Sequence, residues 1–423
     1  MVNRCVNLDW LEIYCIESEP LSWMYFQEQG FEVSPRAYGT PMYREMFTIS
    51  RDGFQWLEVR RDPYSPHSRG GIFDDGACHI RLCNRTCYTI DPVGDLRNFL
   101  VKYKYEYRGI TRVDICVDFL TFDRGDKPQG IINDFMLGKL SKINQCNVSA
   151  HGRDMWDGRY WNSLKWGSES SMVTTKLYNK TMELNRPGHE KFYIRDTWEA
   201  AHLCSRQLCT YDYRNKDGSV CQRYGFRYVP YGTAVDKPVP QNSVKEVQVW
   251  RVEFAIHANA RHWINMENGQ YHRLELSTID NRLKLLFLFH ALASRFFHFK
   301  RLVYTREGNL QRKDRCPDKV LFVTSREEQA YRPKALAKVK PTPSWFTRIM
   351  DDLRKLYYSP HVSSLVSSSA MCILRELWED SRLWSDVKPK AENVYNLDAM
   401  SRAELVRLYR IIRERIEPIQ TSF

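Results

Sequence analysis

The sequence predicts an α+β protein, rich in strands at first and helical towards its end. Three observations carry that expectation. Most of the first 125 residues alternate polar and apolar side chains with the period of a half-buried strand. Two stretches, 91–105 and 131–140, break the alternation with helical spacing. Beyond Gln311 the composition shifts to amphipathic helices joined by linkers.

Taken in order, residues 10–16, 42–50, 54–60, 79–82 and 113–119 are aromatic and β-branched runs that read as strands. Arg51-Asp52-Gly53, between two of them, is a hairpin signal. Leu96, Phe99, Leu100 and Tyr103 recur at helical spacing, and strands return at 160–165 and 171–179. Residues 195–203 read as a helix, with Trp198, Ala201 and His202 on one side. Residues 205–245 mix Gly, Asp, Asn, Tyr and Pro without sustained periodicity, which reads as an insertion or long loop. Asp280 is the expected cap of a helix through Leu283, Leu286, Phe287, His290 and Ala293 to Phe297. Its nearly all-round apolar surface implies burial, with His290 and His298 as core or rim residues. After a basic, proline-containing connector at 338–343, helices are expected at 345–357, 370–384 and 402–416. Ser401 and Glu404 form a capping box for the last. The expected organisation is one domain over 1–310, interrupted at about 205–245, then a helical accessory region over 311–423.

With 423 residues, 43% of them hydrophobic, and 12 tryptophans, the chain has the material for a large core and is not disordered as a whole. Its formal charge of +12 is spread through folded-looking sequence, as on a surface that binds a polyanion. Residues 1–17 include Asp9 and Glu12, alternate like a strand and lack the apolar core of a secretory signal. The most apolar stretch, 283–297, is too short to span a bilayer and carries Lys284 and Arg295. The expectation is a cytoplasmic protein with no membrane partner. Scattered cysteines fit reduced core residues. Cys204, Cys209 and Cys221 with His202 lack the paired spacing of a zinc site, and Cys78, Cys83 and Cys87 suit one even less.

Chemistry concentrates in three short strands. In Lys176-Leu177-Tyr178-Asn179-Lys180, alternation puts Lys176, Tyr178 and Lys180 on one face. In residues 112–118, Arg112, Asp114 and Asp118 share a face opposite Val113, Ile115 and Val117, and in residues 250–254 Arg251 and Glu253 oppose Val252 and Phe254. If one sheet joins those polar faces, a phenol, two lysines, three carboxylates and two arginines converge, which suits a divalent metal and a phosphodiester. Mg²⁺ or Mn²⁺ held by Asp114, Asp118 and Glu253 would polarise a phosphate oxygen. Tyr178 would attack the phosphorus. Only on the order of 0.1% of an unperturbed phenol is ionised at neutral pH, so a lysine or a metal-bound base has to assist it. Lys176, Arg112 and Arg251 are the candidates for holding the DNA. Each piece has a plainer reading: the Asp-x-x-x-Asp strand is equally satisfied by ion pairs to Arg112 and Arg251 with no metal. Trp156, Trp161 and Trp166, beside Arg153, Arg159 and Lys165, are candidates for stacking on bases or ordinary sheet aromatics.

The order Arg112-x-Asp114-x-x-x-Asp118, Gly167-Ser168-x-x-Ser171, Leu177-Tyr178-Asn179-Lys180 with Glu183, then Trp250-Arg251-x-Glu253 resembles the rolling-circle replication initiators of the Rep_trans type, which include the relaxases of certain integrative conjugative elements. The resemblance spans roughly residues 8–310, and the segment 191–198 is also family-like. It implies a curved, mainly antiparallel β-sheet with packed helices. It also implies an origin-specific nick that leaves a 5′-phosphate on Tyr178, with Lys180 assisting the phenol or binding the phosphate, and Asp114, Asp118 and Glu253 holding Mg²⁺ or Mn²⁺. The implied partners are origin DNA, as a double-stranded site with a single-stranded or hairpin nick region, a host helicase, and a second copy of the chain supplying a second Tyr178. Glu183 is an alternative device for positioning water. The chain has no His-hydrophobic-His pair, the metal ligands of the best-known rolling-circle endonucleases, so carboxylates take that role, with His79 as a possible addition. Competing readings are a conjugative relaxase of the same chemistry, a non-catalytic DNA-binding protein with the same fold, and a metalloenzyme for small phosphorylated substrates. A Gly-rich phosphate loop at a helix start, which would favour the last, is missing.

Overall fold

Ten antiparallel strands join into one sheet in the computed structural model. The structure describes residues 3–323 and 334–335, except 38, 41, 65–66, 69–70, 73, 144–146, 156–157, 169–170, 172, 187, 190, 216–217, 258–261, 265–270 and 313. The helices expected at 345–357, 370–384 and 402–416 therefore lie outside the described residues, as does Trp156. Numbering only the longer strands, β1 is Arg4–Glu17, β2 Glu32–Pro35, β3 Tyr43–Arg51, β4 Phe54–Pro63, β5 Ala77–Leu82 and β6 Tyr105–Phe119. Next come β7 Val148–Met155, β8 Gly158–Trp166, β9 Val173–Asn179, β10 Cys204–Arg214, β11 Val220–Pro230 and β12 Trp250–His257. The large sheet runs β7-β8-β9-β12-β6-β1-β5-β4-β3-β2. Asp52 and Gly53 both take positive φ (54° and 73°), the backbone that a two-residue hairpin between β3 and β4 demands.

The three chemistry-bearing strands are neighbours. β12 lies between β9 and β6, pairing Tyr178 with Arg251 and Arg251 with Asp118, so these side chains share one face. The opposite face carries Leu177, Val252, Phe254, Val113, Ile115 and Val117, all buried in the main core. Among the described residues the α-helices are α1 (Trp23–Glu28), α2 (Pro92–Lys102), α3 (Pro128–Met136), α4 (Lys180–Leu184), α5 (Phe192–Ala200) and α6 (Arg282–Phe296), and α2 and α6 contribute Leu96, Phe99, Leu285, Leu288 and Phe289 to that core. A second apolar cluster lies on the polar side, where α4 (Lys180–Leu184) and α5 (Phe192–Ala200) bring Leu184, Ile194 and Trp198 against Cys5 and Val249. The core runs past residue 310, since Leu321 and Phe322 join it and Phe322 packs on Phe119, Phe122 and Phe289. Among the described residues no helix is long and apolar enough to cross a membrane.

Several expectations change in detail. Residues 205–245 are no loop at their start: β10 and β11 pair from Cys204↔Pro230 to Arg214↔Val220, forming a long β-hairpin. Cross-strand pairing stabilises it where the sequence lacks clean alternation, because much of both faces meets solvent. Asp280 does not cap α6. Asn281 does, accepting from the Lys284 backbone at 3.0 Å, while Asp280 takes the Lys284 ammonium at 2.9 Å. Lys180 is not a strand residue either, because Asn179 caps Met182 at 2.9 Å and turns the chain into α4. Trp166, expected among the stacking aromatics, is 0% exposed against Phe135, Phe297 and Phe299, and Trp161 packs partly buried against the same core.

Lys142, in a small sheet with residues 299–301 and 318–319, is buried with its ammonium 5.5 Å from the Trp166 ring. Burial pushes that ammonium down to about 7. Between there and the ordinary lysine value of ~10.4, the unfolded chain holds a proton that the fold does not, so stability rises with pH across that window. Thermal melts of Lys142→Met should show a gain over the parent at pH 6 and a smaller one at pH 10. Equal gains at both would refute a buried, destabilising charge.

Candidate functional site

A cavity of about 580 Å³ opens on the polar face where β9, β12 and β6 meet. Its lining includes Arg112, Asp114, Lys176, Tyr178, Lys180, Glu183 and Glu253. Of the residues expected at the site, Asp118 and Arg251 are not brought to it.

The Tyr178 hydroxyl, half-buried at the end of β9, donates to Glu253 Oε2 at 2.9 Å. Lys176 donates to the other oxygen, Oε1, at 2.6 Å. From the far side Lys180 Nζ reaches the phenol oxygen at 3.5 Å while bonding both oxygens of Glu183 at 3.0 and 2.9 Å. Burial and the Glu253 charge hold the phenol well above its ordinary pKa, against the pull of Arg251. Tyr178 therefore rests as a neutral donor, its proton already directed at a carboxylate.

Asp114 lies on β6, its two oxygens bonded by Arg112 at 2.9 and 2.6 Å. Burial raises its carboxyl to about 6 and the charge of Glu253 adds to the shift, while the Arg112 hydrogen bonds oppose it. Two carboxylates share one pocket here, and a divalent cation would relieve their repulsion. Mg²⁺ commonly takes one or two carboxylates and completes its shell with water and phosphate, so this pair would suit such an ion once Arg112 and Lys176 released the oxygens they hold.

Asp118 and Arg251 are 0% exposed. Arg251 grips Asp118 through Nε and Nη2 at 2.6 and 2.7 Å, and Trp198 of α5 donates to Asp118 Oδ2 at 2.7 Å. Asp118 is sealed away from the cavity and lines no part of it, and Arg251 presents no charge to solvent, so the plainer ion-pair reading describes both. Among the described residues no cluster of three or more His, Cys, Asp and Glu side chains is arranged to share an ion. His79 pairs with Tyr43 and contacts Tyr14, away from the cavity lining.

Sequence reasoning missed Asp9. The β1–β6 register slips between Leu8↔Ile115 and Trp10↔Asp114, leaving Asp9 as the extra residue of a β-bulge. That turns its carboxylate onto Arg251 Nη1 at 2.9 Å and into the cavity wall. Arg251, Lys180 and a Tyr88 hydrogen bond hold it down to about 2, overcoming its burial. Trp10, beside it, lies between the guanidinium groups of Arg81 and Arg112, 4.5 and 4.4 Å from the ring. Asn84, His151, Asn162, Ser163, Arg186 and Lys191 complete most of the wall. A bulge leaves no mark in residue type, so only the register reveals Asp9. His151 was missed as well, and only the structural pairings His151↔Ser163 and Ser163↔Tyr178 set it two strands from the phenol.

Fold and cavity together define an α+β protein with a phenol, paired carboxylates and lysines in one solvent-open pocket. No protein-family model matches the chain, and no curated protein matches it in sequence. Among solved structures, it is similar to a rolling circle replication initiator protein from Geobacillus stearothermophilus at 14% identity, covering 79% of this chain and 99% of that one, with a TM-score of 0.39. At that level the similarity assigns neither an activity nor site residues.

The buried ion pair makes its own prediction. Arg251→Met should lower stability by about 3–5 kcal/mol in denaturant titrations, because it strands the Asp118 charge. Adding Asp118→Leu should recover part of the loss. A double variant no more stable than Arg251→Met would count against that account.

Proposed function

We propose that this protein nicks one DNA strand at an origin and keeps the 5′-phosphate on Tyr178, initiating rolling-circle replication of a plasmid, phage or mobile element. The observation that carries the reading is the Tyr178 hydroxyl, 2.9 Å from Glu253 and 3.5 Å from Lys180, on a cavity that Asp114 also lines. A phenol aimed at a base, beside a cation and a second carboxylate, suits phosphoryl transfer.

The step is a transesterification. Tyr178 Oη attacks phosphorus, its proton passes to Glu253 Oε2, the bond from phosphorus to the 3′ oxygen breaks, and that oxygen leaves to take a proton from solvent. The high resting pKa of the phenol makes concerted proton transfer necessary, since a free phenolate is too scarce. Lys180 stabilises charge gathering on the phenolic oxygen. Asp114 and Glu253 would hold Mg²⁺ or Mn²⁺, which when bound neutralises a non-bridging phosphate oxygen and the departing 3′ oxygen. Because the bond energy is kept in a phosphotyrosine, strand transfer and closure by a second 3′ hydroxyl follow without an external energy source.

Incubation with a labelled origin-hairpin DNA and Mn²⁺, run on a denaturing gel, should give a protein band shifted by covalent DNA. Tyr178→Phe is expected to abolish that band; nicking that survives the change rejects the nucleophile. Glu253→Gln should slow covalent capture by about 10²–10⁴-fold, the usual worth of a general base. Asp114→Ala should still bind the DNA but lose metal stimulation, and a normal Mn²⁺ titration in that variant would remove Asp114 from the ion site.

A further inference from the structure

The cavity is divided by charge. Its acidic end, Asp114 and Glu253, is matched by Arg112 and Lys176. At its other end Glu183 matches Lys180 and Asp9 is engaged by Arg251, while among the described residues Lys191 and Arg186 are in no salt bridge. The lining holds five basic and four acidic side chains, so the surplus cation falls at this end.

Lys191 is the more telling of the two. Among the described residues its ammonium donates to the neutral Oδ1 of Asn84, at 3.2 Å, and to no carboxylate. Asn84 is itself fixed, accepting from the Tyr193 hydroxyl at 2.5 Å and donating to the Asp9 carbonyl at 3.4 Å. The ammonium is thus half-buried and held in place by an amide, with the carboxylates of Asp9 and Glu183 acting on it only through space. Burial and the repulsion of Lys180 push its pKa below the ordinary lysine value against the pull of Asp9 and Glu183, and an arriving anion would offset both costs. Arg186, exposed on the same wall just after α4, is likewise in no salt bridge among the described residues.

We infer that Lys191, with Arg186 beside it, forms a phosphate subsite for the backbone of a single DNA strand. It would take the phosphate next to the one that Tyr178 attacks. The inference rests on the nicking reading for the identity of the polyanion, and it adds residues that the motif chemistry does not include. It also gives the strand a path across the pocket, with one phosphate at the Asp114–Glu253 end and the next held by Lys191. Lys191 acts here by binding substrate and takes no part in the proton transfer. Its side chain makes no capping bond to α5, so a replacement there need not unravel that helix.

The test is fluorescence anisotropy of the full chain with a short single-stranded oligonucleotide of mixed sequence, in EDTA, across a salt series. Each phosphate contact to a single strand contributes a slope of about 0.7 in log K against log salt. Lys191→Met should reduce the slope by about that amount and weaken binding several-fold near 0.1 M salt, while Lys191→Arg keeps both. Arg186→Gln, on an exposed residue, should act in the same direction without altering the melting temperature. Slopes equal to the parent's in Lys191→Met and Arg186→Gln would overturn the subsite. The two ideas fail separately. A parent that binds the strand with a Lys191-dependent slope but forms no covalent species retains the subsite and loses the nicking. A parent that nicks through Tyr178 with a slope indifferent to Lys191 does the reverse.

Discussion

The Arg251–Asp118 ion pair is the constraint on which the polar face depends. Both groups are wholly buried, and an isolated charge there would be costly. Each is matched twice, Asp118 by the fork of Arg251 and by Trp198, and Arg251 by Asp118 and Asp9. Through these bonds β6, β12, the β1 bulge and α5 share one electrostatic centre. The cavity lies beside it, reached through Asp9, and Tyr178 and Glu253 stand on the strands that this centre ties together.

A consequence is a division of labour among acids that look alike in sequence. Asp118 is spent on structure, and Asp9 helps to neutralise Arg251 while facing the cavity. Asp114 and Glu253 line the pocket, the first engaged by Arg112 and the second by Lys176 and Tyr178. The carboxyl of Asp114 is raised and that of Asp9 depressed, although both line the same cavity. Proximity to Arg251 and Lys180 explains the low value, and proximity to Glu253 contributes to the high one.

Much of this was legible in the chain. Strict alternation in 112–118, 176–179 and 250–254 is enough to separate the buried face from the polar one, because a period of two leaves no freedom once the apolar side packs. Alternation does not say which part of a polar face is roofed over. Asp114 and Asp118 sit four residues apart on the same side, yet α5 covers only the second. Nor does it anticipate a bulge, so Asp9 carried no signal. The β10–β11 hairpin escaped for a related reason, since a ribbon open to solvent on much of both faces needs no apolar side. β7 is a polar strand at the edge of the sheet, ordered chiefly by its ladder to β8.

The connectivity of the centre also bears on how the chain comes off the ribosome. Asp118 emerges 133 residues ahead of Arg251. At ordinary elongation rates that interval is on the order of 10 s. During it the nascent chain carries an acid destined for the interior with its guanidinium not yet made, and β6 and β9 cannot be bridged because the strand between them is still missing. The pocket therefore cannot assemble until the strand that carries Arg251 and Glu253 has been made.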